Sequence, residues 1–176
     1  MASLFTHSLI PVALRLSSAG AAFPKRLLAV CVFLAVLPDF DVVAFRFGIP
    51  YESQWGHRGF THSIAFALAC ALVCRWFHRG LGSTPKTVLW ATFVATLSHT
   101  VLDALTNGGL GVAAFWPLDQ SRYFFPVRPI QVSPIGVANF FGPRGLVVIL
   151  SELLWVWAPV LTLSFIIRQA RRRRRR

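Results

Sequence analysis

Seven side chains in four short stretches have the types and spacing to hold a divalent metal: His7, Asp39 and Asp41 in PDFD, His57 and His62 in HRGFTHS, and His99 and Asp103 in HTVLD. The chain has only 5 histidines and 6 acidic residues, so this gathering inside and beside apolar runs is a concentration. Ionisable groups are expensive in apolar surroundings unless paired, and inside a membrane they mark functional sites. Imidazole and carboxylate together are the ligand set of zinc, with manganese and magnesium as alternatives where oxygen ligands dominate. A metal held this way lowers the pKa of a nearby water and makes hydroxide available for attack. Seven ligands exceed the four of a structural zinc, which leaves room for two metals or for catalytic groups.

Each stretch has its own logic. His99 and Asp103 are four apart, so on a helix they share a face and reach one ion, and Asn107, Gly108 and Gly109 then end that helix. The plainer alternative is a His–Asp hydrogen bond in a bundle core. In LPDFDVV, Pro38 is expected to stop the helix at Leu37 and turn the chain extended, pointing Asp39 and Asp41 the same way. Neighbouring carboxylates repel unless a cation lies between them, so a metal or an arginine is the natural third party; solvated aspartates at a helix-ending turn are the alternative. In HRGFTHS, Gly59 suits a tight turn and Thr61 or Ser63 suits a helix N-cap, which sets His62 at the mouth of the next helix with His57 across the turn. Arg58 between them is permanently cationic, unsuited to ligation but suited to gripping a phosphate or carboxylate. The catalytic candidates are therefore Asp41 or Asp103 as general base, with Asp39 also eligible, and Arg58 as stabiliser of an anionic transition state.

The elements that must position these groups are membrane helices. At 55% apolar and 14% charged residues, with a mean hydropathy of +0.60, the chain is too apolar for a soluble domain of 176 residues. The clearest span is residues 146–167, followed by Arg168 and an arginine run at 171–176. Weaker spans occupy residues 27–37, 63–77 and 87–105, and residues 1–16 read as a short or re-entrant helix because His7 and Pro11 interrupt a signal-peptide pattern. Lys25 and Arg26, then Arg75, Arg79 and Lys86, then the arginine tail fit on the cytoplasmic side, although Arg46, Arg58, Arg122, Arg128 and Arg144 oppose that bias. Asp39, His62 and His99 each lie 13 residues from the nearest of these cytoplasmic charges, a depth of roughly 20 Å at about 1.5 Å per helical residue. One layer toward the extracytoplasmic face is thus expected to hold all three.

Other residues carry less. Cys31, Cys70 and Cys74 lack metal-type spacing and read as small buried hydrophobes. Glu152 falls near the depth of the site and is a candidate to face it. Residues 117–143, with Arg122 and Arg128, form a long irregular segment that either covers the site or merely connects spans. The arginine tail contacts anionic lipid rather than nucleic acid, and no Gly-rich phosphate loop or GxSxG elbow is present.

PDFD, HRGFTHS, LSHTVLDALTNGG and the later FWPL resemble the YdjM-like family of membrane-bound, metal-dependent hydrolases, described as LexA-regulated in enterobacteria, over residues 7–128. The resemblance implies a bacterial inner-membrane metal-dependent hydrolase with His7, Asp39, Asp41, His57, His62, His99 and Asp103 as ligands. The arginine tail departs from the shared pattern. The expected protein is an all-α polytopic bundle of about four spans, with a membrane-embedded domain at 1–168 and a basic cytoplasmic tail at 169–176. It is expected to hold a divalent metal, zinc first, and to hydrolyse a lipid or lipid-linked phosphoester, a substrate class suited to a site at that depth. The competing class is a non-enzymatic metal-binding scaffold or an ion transporter; apolar cytoplasmic halves such as residues 27–37 and 64–73 favour a one-sided site over an ion pathway.

Overall fold

A computed structural model of the chain describes residues 1–18, 23–134 and 137–174. Arg175 and Arg176 of the basic tail, and two residues of the 117–143 segment, lie outside them. Among the described residues helices are the only regular elements. The helices are α1 (Leu4–Ser17), α2 (Lys25–Val36), α3 (Ile64–Trp76), α4 (Pro85–Ala104), the single turn α5 (Val137–Phe140), α6 (Pro143–Glu152) and α7 (Ala158–Arg173). Among the described residues the extended backbone forms only two isolated pairings, Thr106 with Ile130 and Val112 with Tyr123.

Local chemistry starts the helices that carry the site. Ser3, Ser63 and Thr84 each turn a side-chain oxygen onto a backbone N–H of the following first turn, and Pro85 occupies a position where its missing N–H costs nothing. The α3–α4 contact is close because the buried residues of α3 are two alanines, Ala67 and Ala71, and small residues let helix backbones approach in a membrane. α4 also packs on α2, and α1 lies between α2 and α7. An apolar cluster of Phe23, Leu27, Cys31, Val88, Ala91 and Ala95 fills one end of the bundle, and Ala2, Leu102, Ile130 and Val156 pack near the other. Large apolar side chains point outward along the helices, Trp76 at 86% exposure and Leu154 at 65%, as a lipid-facing surface requires.

One expectation changes. The chain after Pro38 continues as a 3₁₀ helix, Leu37–Phe47, instead of becoming extended. Proline near the start of this segment has a helix-compatible φ and loses no needed donor. At about three residues per turn, Asp39 and Asp41 point roughly 120° apart and serve different partners. Lys25–Phe47 and Pro143–Arg173 are long and apolar enough to cross a membrane, and α1 and α3 are shorter apolar helices of 14 and 13 residues. α4 has the length, but its buried face is Thr92, Thr96, His99, Thr100 and Asp103 among alanines. The last long helix is interrupted by a π turn at Leu153–Trp157, between α6 and α7.

Candidate metal centre

Four elements far apart in sequence bring the chemistry to one place. α1 supplies His7, the head of the 3₁₀ segment Asp39, the turn before α3 His62, and the last turns of α4 His99 and Asp103; all five are buried. Asp39, His62, His99 and Asp103 each offer a ligand atom within 4.8 Å of the others. His99 Nε2 lies 3.0 Å from His62 Nε2 and 3.4 Å from Asp39 Oδ1. His62 Nε2 is 3.6 Å from Asp103 Oδ2. His7 stacks on His99 with ring centroids 3.8 Å apart, and its Nε2 lies 3.5 Å from Asp103 Oδ1 and 3.9 Å from Asp39 Oδ2.

The outer partners fix how the imidazoles present themselves. His99 Nδ1 meets the Ala35 carbonyl at 2.8 Å; a carbonyl only accepts, so Nδ1 carries the hydrogen and Nε2 turns its lone pair to the centre. His62 Nδ1 faces Asp41 Oδ2 at 3.3 Å and Thr61 Oγ at 3.0 Å, which likewise leaves Nε2 for the centre. Two nitrogen lone pairs and two carboxylates then face one another, an arrangement that is repulsive without a cation. The same need appears in the buried polar atoms without hydrogen bonds, which include both nitrogens of His7 and both oxygens of Asp39. Such orphans are rare in folded proteins and costly, so the donor set fits a divalent metal.

Asp41 is placed differently from Asp39. Its Oδ1 meets His57 Nδ1 at 2.6 Å, and its Oδ2 accepts from the Arg58 amide at 3.0 Å and the Thr61 hydroxyl at 2.7 Å. Asp41, His57 and His62 form a second potential ligand group that shares His62 with the first. Its carboxylate is already satisfied, unlike that of Asp39, so the unpaired carboxylate belongs to the first group. Here the structure separates residues that spacing alone left together.

Arg58 is wholly buried at φ 64°, a left-handed conformation that a non-glycine residue adopts at a cost. Its Nε faces Asp103 Oδ2 at 3.0 Å, and its two outer nitrogens donate to the Gly108 carbonyl at 2.9 Å and the Thr106 hydroxyl at 3.0 Å. The guanidinium therefore fastens the HRGFTHS turn to the end of α4. Two glycines make the close approach: a Cβ on Gly59 would sit 2.1 Å from the Gln54 carbonyl oxygen, and one on Gly109, at φ 86°, would sit 2.7 Å from Arg58. The segment after α4 covers this turn. Arg122 donates to the carbonyls of His57, Tyr51 and Ser53 at 2.8–2.9 Å, and the Ala113 amide donates to Arg58.

Glu152 does not enter either ligand group. Its carboxylate accepts from the Ser3 amide and hydroxyl, both at 2.5 Å, and from the Thr6 hydroxyl at 2.8 Å. These partners, the Ala35 carbonyl and Thr106 had no signal in the sequence, since hydroxyls and carbonyls occur everywhere along the chain. Cys31, Cys70 and Cys74 are free thiols; Cys31 is buried as expected, whereas Cys70 and Cys74 are only half-buried.

Comparison with known proteins finds inner membrane proteins. The chain is 42% identical over 164 residues to inner membrane protein YbcI of Escherichia coli (strain K12), an alignment covering 90% of this chain and 92% of that protein. No solved structure matches it. A family model described as YdjM inner membrane protein matches residues 1–174, a stretch containing every ligand candidate described above, and the chain belongs to that family.

Proposed function

We propose that the protein is an inner-membrane, metal-dependent hydrolase acting on a lipid or lipid-linked phosphoester. The observation that carries this reading is the buried group of Asp39, His62, His99 and Asp103, whose nitrogens and carboxylates converge with both oxygens of Asp39 unpaired. These four are the proposed ligands, with His7 as a fifth beside them. A divalent metal, zinc first and manganese or magnesium next, supplies Lewis acidity and a lowered water pKa there. Asp41 holds the hydrogen of His62 Nδ1 outward and forms, with His57 at 2.6 Å, a pair able to hold or deliver a proton at the rim of the group. Arg58 sets Asp103 and adds positive charge where an anionic group would approach. Burial of every member keeps bulk water from competing.

Location supports the substrate class. The family is one of inner membrane proteins, and the proposed spans are Lys25–Phe47, α3, α4 and the α6–α7 helix. With the basic residues inside, the centre lies toward the extracytoplasmic face, within reach of an amphiphile in the bilayer. The same complete burial favours a second reading, a non-enzymatic metal-holding scaffold. Metal analysis of the purified full chain, joined to a hydrolysis screen over phospholipids and lipid-linked phosphoesters, separates them. The expected result is bound metal and a chelator-sensitive activity lost in Asp39→Ala. Bound metal with no activity on any member of the screen supports the scaffold, and absence of metal overturns both.

A further inference from the structure

The last membrane helix contributes no side chain to either ligand group among the described residues, yet it buries a carboxylate, Glu152, at 0% exposure. A buried carboxylate in a span is costly unless its oxygens are satisfied, so the donors it recruits indicate what it is for. All three come from the first turn of α1: the Ser3 amide, the Ser3 hydroxyl and the Thr6 hydroxyl. Trp157, at the end of the π turn that follows Glu152, donates its indole N–H to the same Thr6 hydroxyl at 2.7 Å. A π turn adds one residue to the helical repeat and re-aims the side chains beyond it. The other side of this α1 turn is held by the centre, because the Ala2 amide donates to Asp103 Oδ1 at 2.8 Å.

His7 is the next residue after Thr6, and its amide donates to the Ser3 carbonyl. Neither ring nitrogen makes a hydrogen bond, and the ring is located by stacking on His99, by the approach of Nε2 to Asp103 and Asp39 at 3.5 and 3.9 Å, and by the backbone that carries it. We infer that Glu152 is a positioning residue for the metal centre, acting through Ser3 and Thr6 to hold His7 at the ligand group. This rests on the metal-centre reading above. It gives the last helix a place in the centre without a ligand of its own: outer groups that orient a ligand typically account for 10- to 100-fold in metal affinity.

The test is a double-mutant cycle in metal affinity, by calorimetric titration of Zn²⁺ or Mn²⁺ into the full chain in detergent. Glu152→Gln keeps the shape but turns an amide donor toward hydroxyls that now donate. It should weaken binding by roughly 10-fold or more when His7 is present and change it little in a His7→Ala background. Equal weakening in both backgrounds means that Glu152 serves the fold alone and overturns the proposal, as does unchanged affinity in the single variant. Should Glu152→Gln fail to fold, Thr6→Val, which removes one donor, enters the same cycle and is judged by the same two outcomes. A wild-type chain that binds no metal overturns the centre itself, a result distinct from either.

Discussion

Asp39 and Asp41 are two residues apart, yet one carboxylate has neither oxygen hydrogen-bonded while the other is surrounded by donors. This difference orders the expected effects of mutation. His99→Ala or Asp39→Ala removes a proposed ligand and should reduce bound metal to background, as elemental analysis of the purified protein will show. Asp41→Asn removes an orienting partner and should weaken metal by about 10- to 100-fold while leaving a measurable site. Arg58 has the opposite liability. Arg58→Ala leaves Asp103 buried against His7 and His62 without its guanidinium, a change that costs about 3–5 kcal/mol when one partner of a buried pair is removed. The thermal midpoint should fall steeply, and saturating metal should recover part of the loss by restoring a cation beside Asp103. The seven polar side chains were legible in the sequence because each is conspicuous in an apolar chain. Their division into inner and outer roles was not, because it depends on which oxygen already has a donor.

Among the elements, the 3₁₀ segment shows where local rules stop. Proline predicts a break, and the chain instead tightens its helix: Pro38 sits at the head of the 3₁₀ segment, where its φ is compatible, and the continued turn sends Asp39 and Asp41 to different sides. Helix positions for α3, α4 and the last span were legible to within a few residues from apolar runs and caps. The π turn was not, and neither was the contact of Trp157 with Thr6, which joins residues 151 positions apart. The HRGFTHS turn depends on backbone proximity. Gly59→Ala would drive a Cβ into the Gln54 carbonyl, so the turn must open and His57, Arg58 and His62 must move together. The expected outcome is loss of metal with helix content retained, read by elemental analysis beside circular dichroism.

At the scale of the molecule, the all-helical architecture and membrane character follow from composition, whereas the number of crossings does not follow from apolar length alone. α4 trades apolar length for the small and polar residues that build the centre, whereas α3 is apolar but short. Sidedness is the remaining large-scale expectation. With Lys25, Arg26, Arg75, Arg79, Lys86 and the arginine run inside, a reporter active only outside the cytoplasm and fused after Arg176 should stay silent. A strong signal would invert the topology and place the centre on the cytoplasmic side.

The contact between Ser3 and Glu152 also has a meaning for biosynthesis. The first helical turn is tied to a residue 149 positions later, so its partner does not yet exist while the ribosome is making the rest of the chain. At bacterial elongation rates of about 5–20 residues per second, the N-terminal turn waits roughly 7–30 s for the final helix to be inserted. Through that interval His7 has no fixed station, and a chain released early keeps an unfinished centre. Arrested chains ending before Pro143 should therefore insert into the membrane yet retain metal poorly, whereas chains extended past Trp157 should retain it, a contrast that metal analysis of stalled membrane-inserted products resolves.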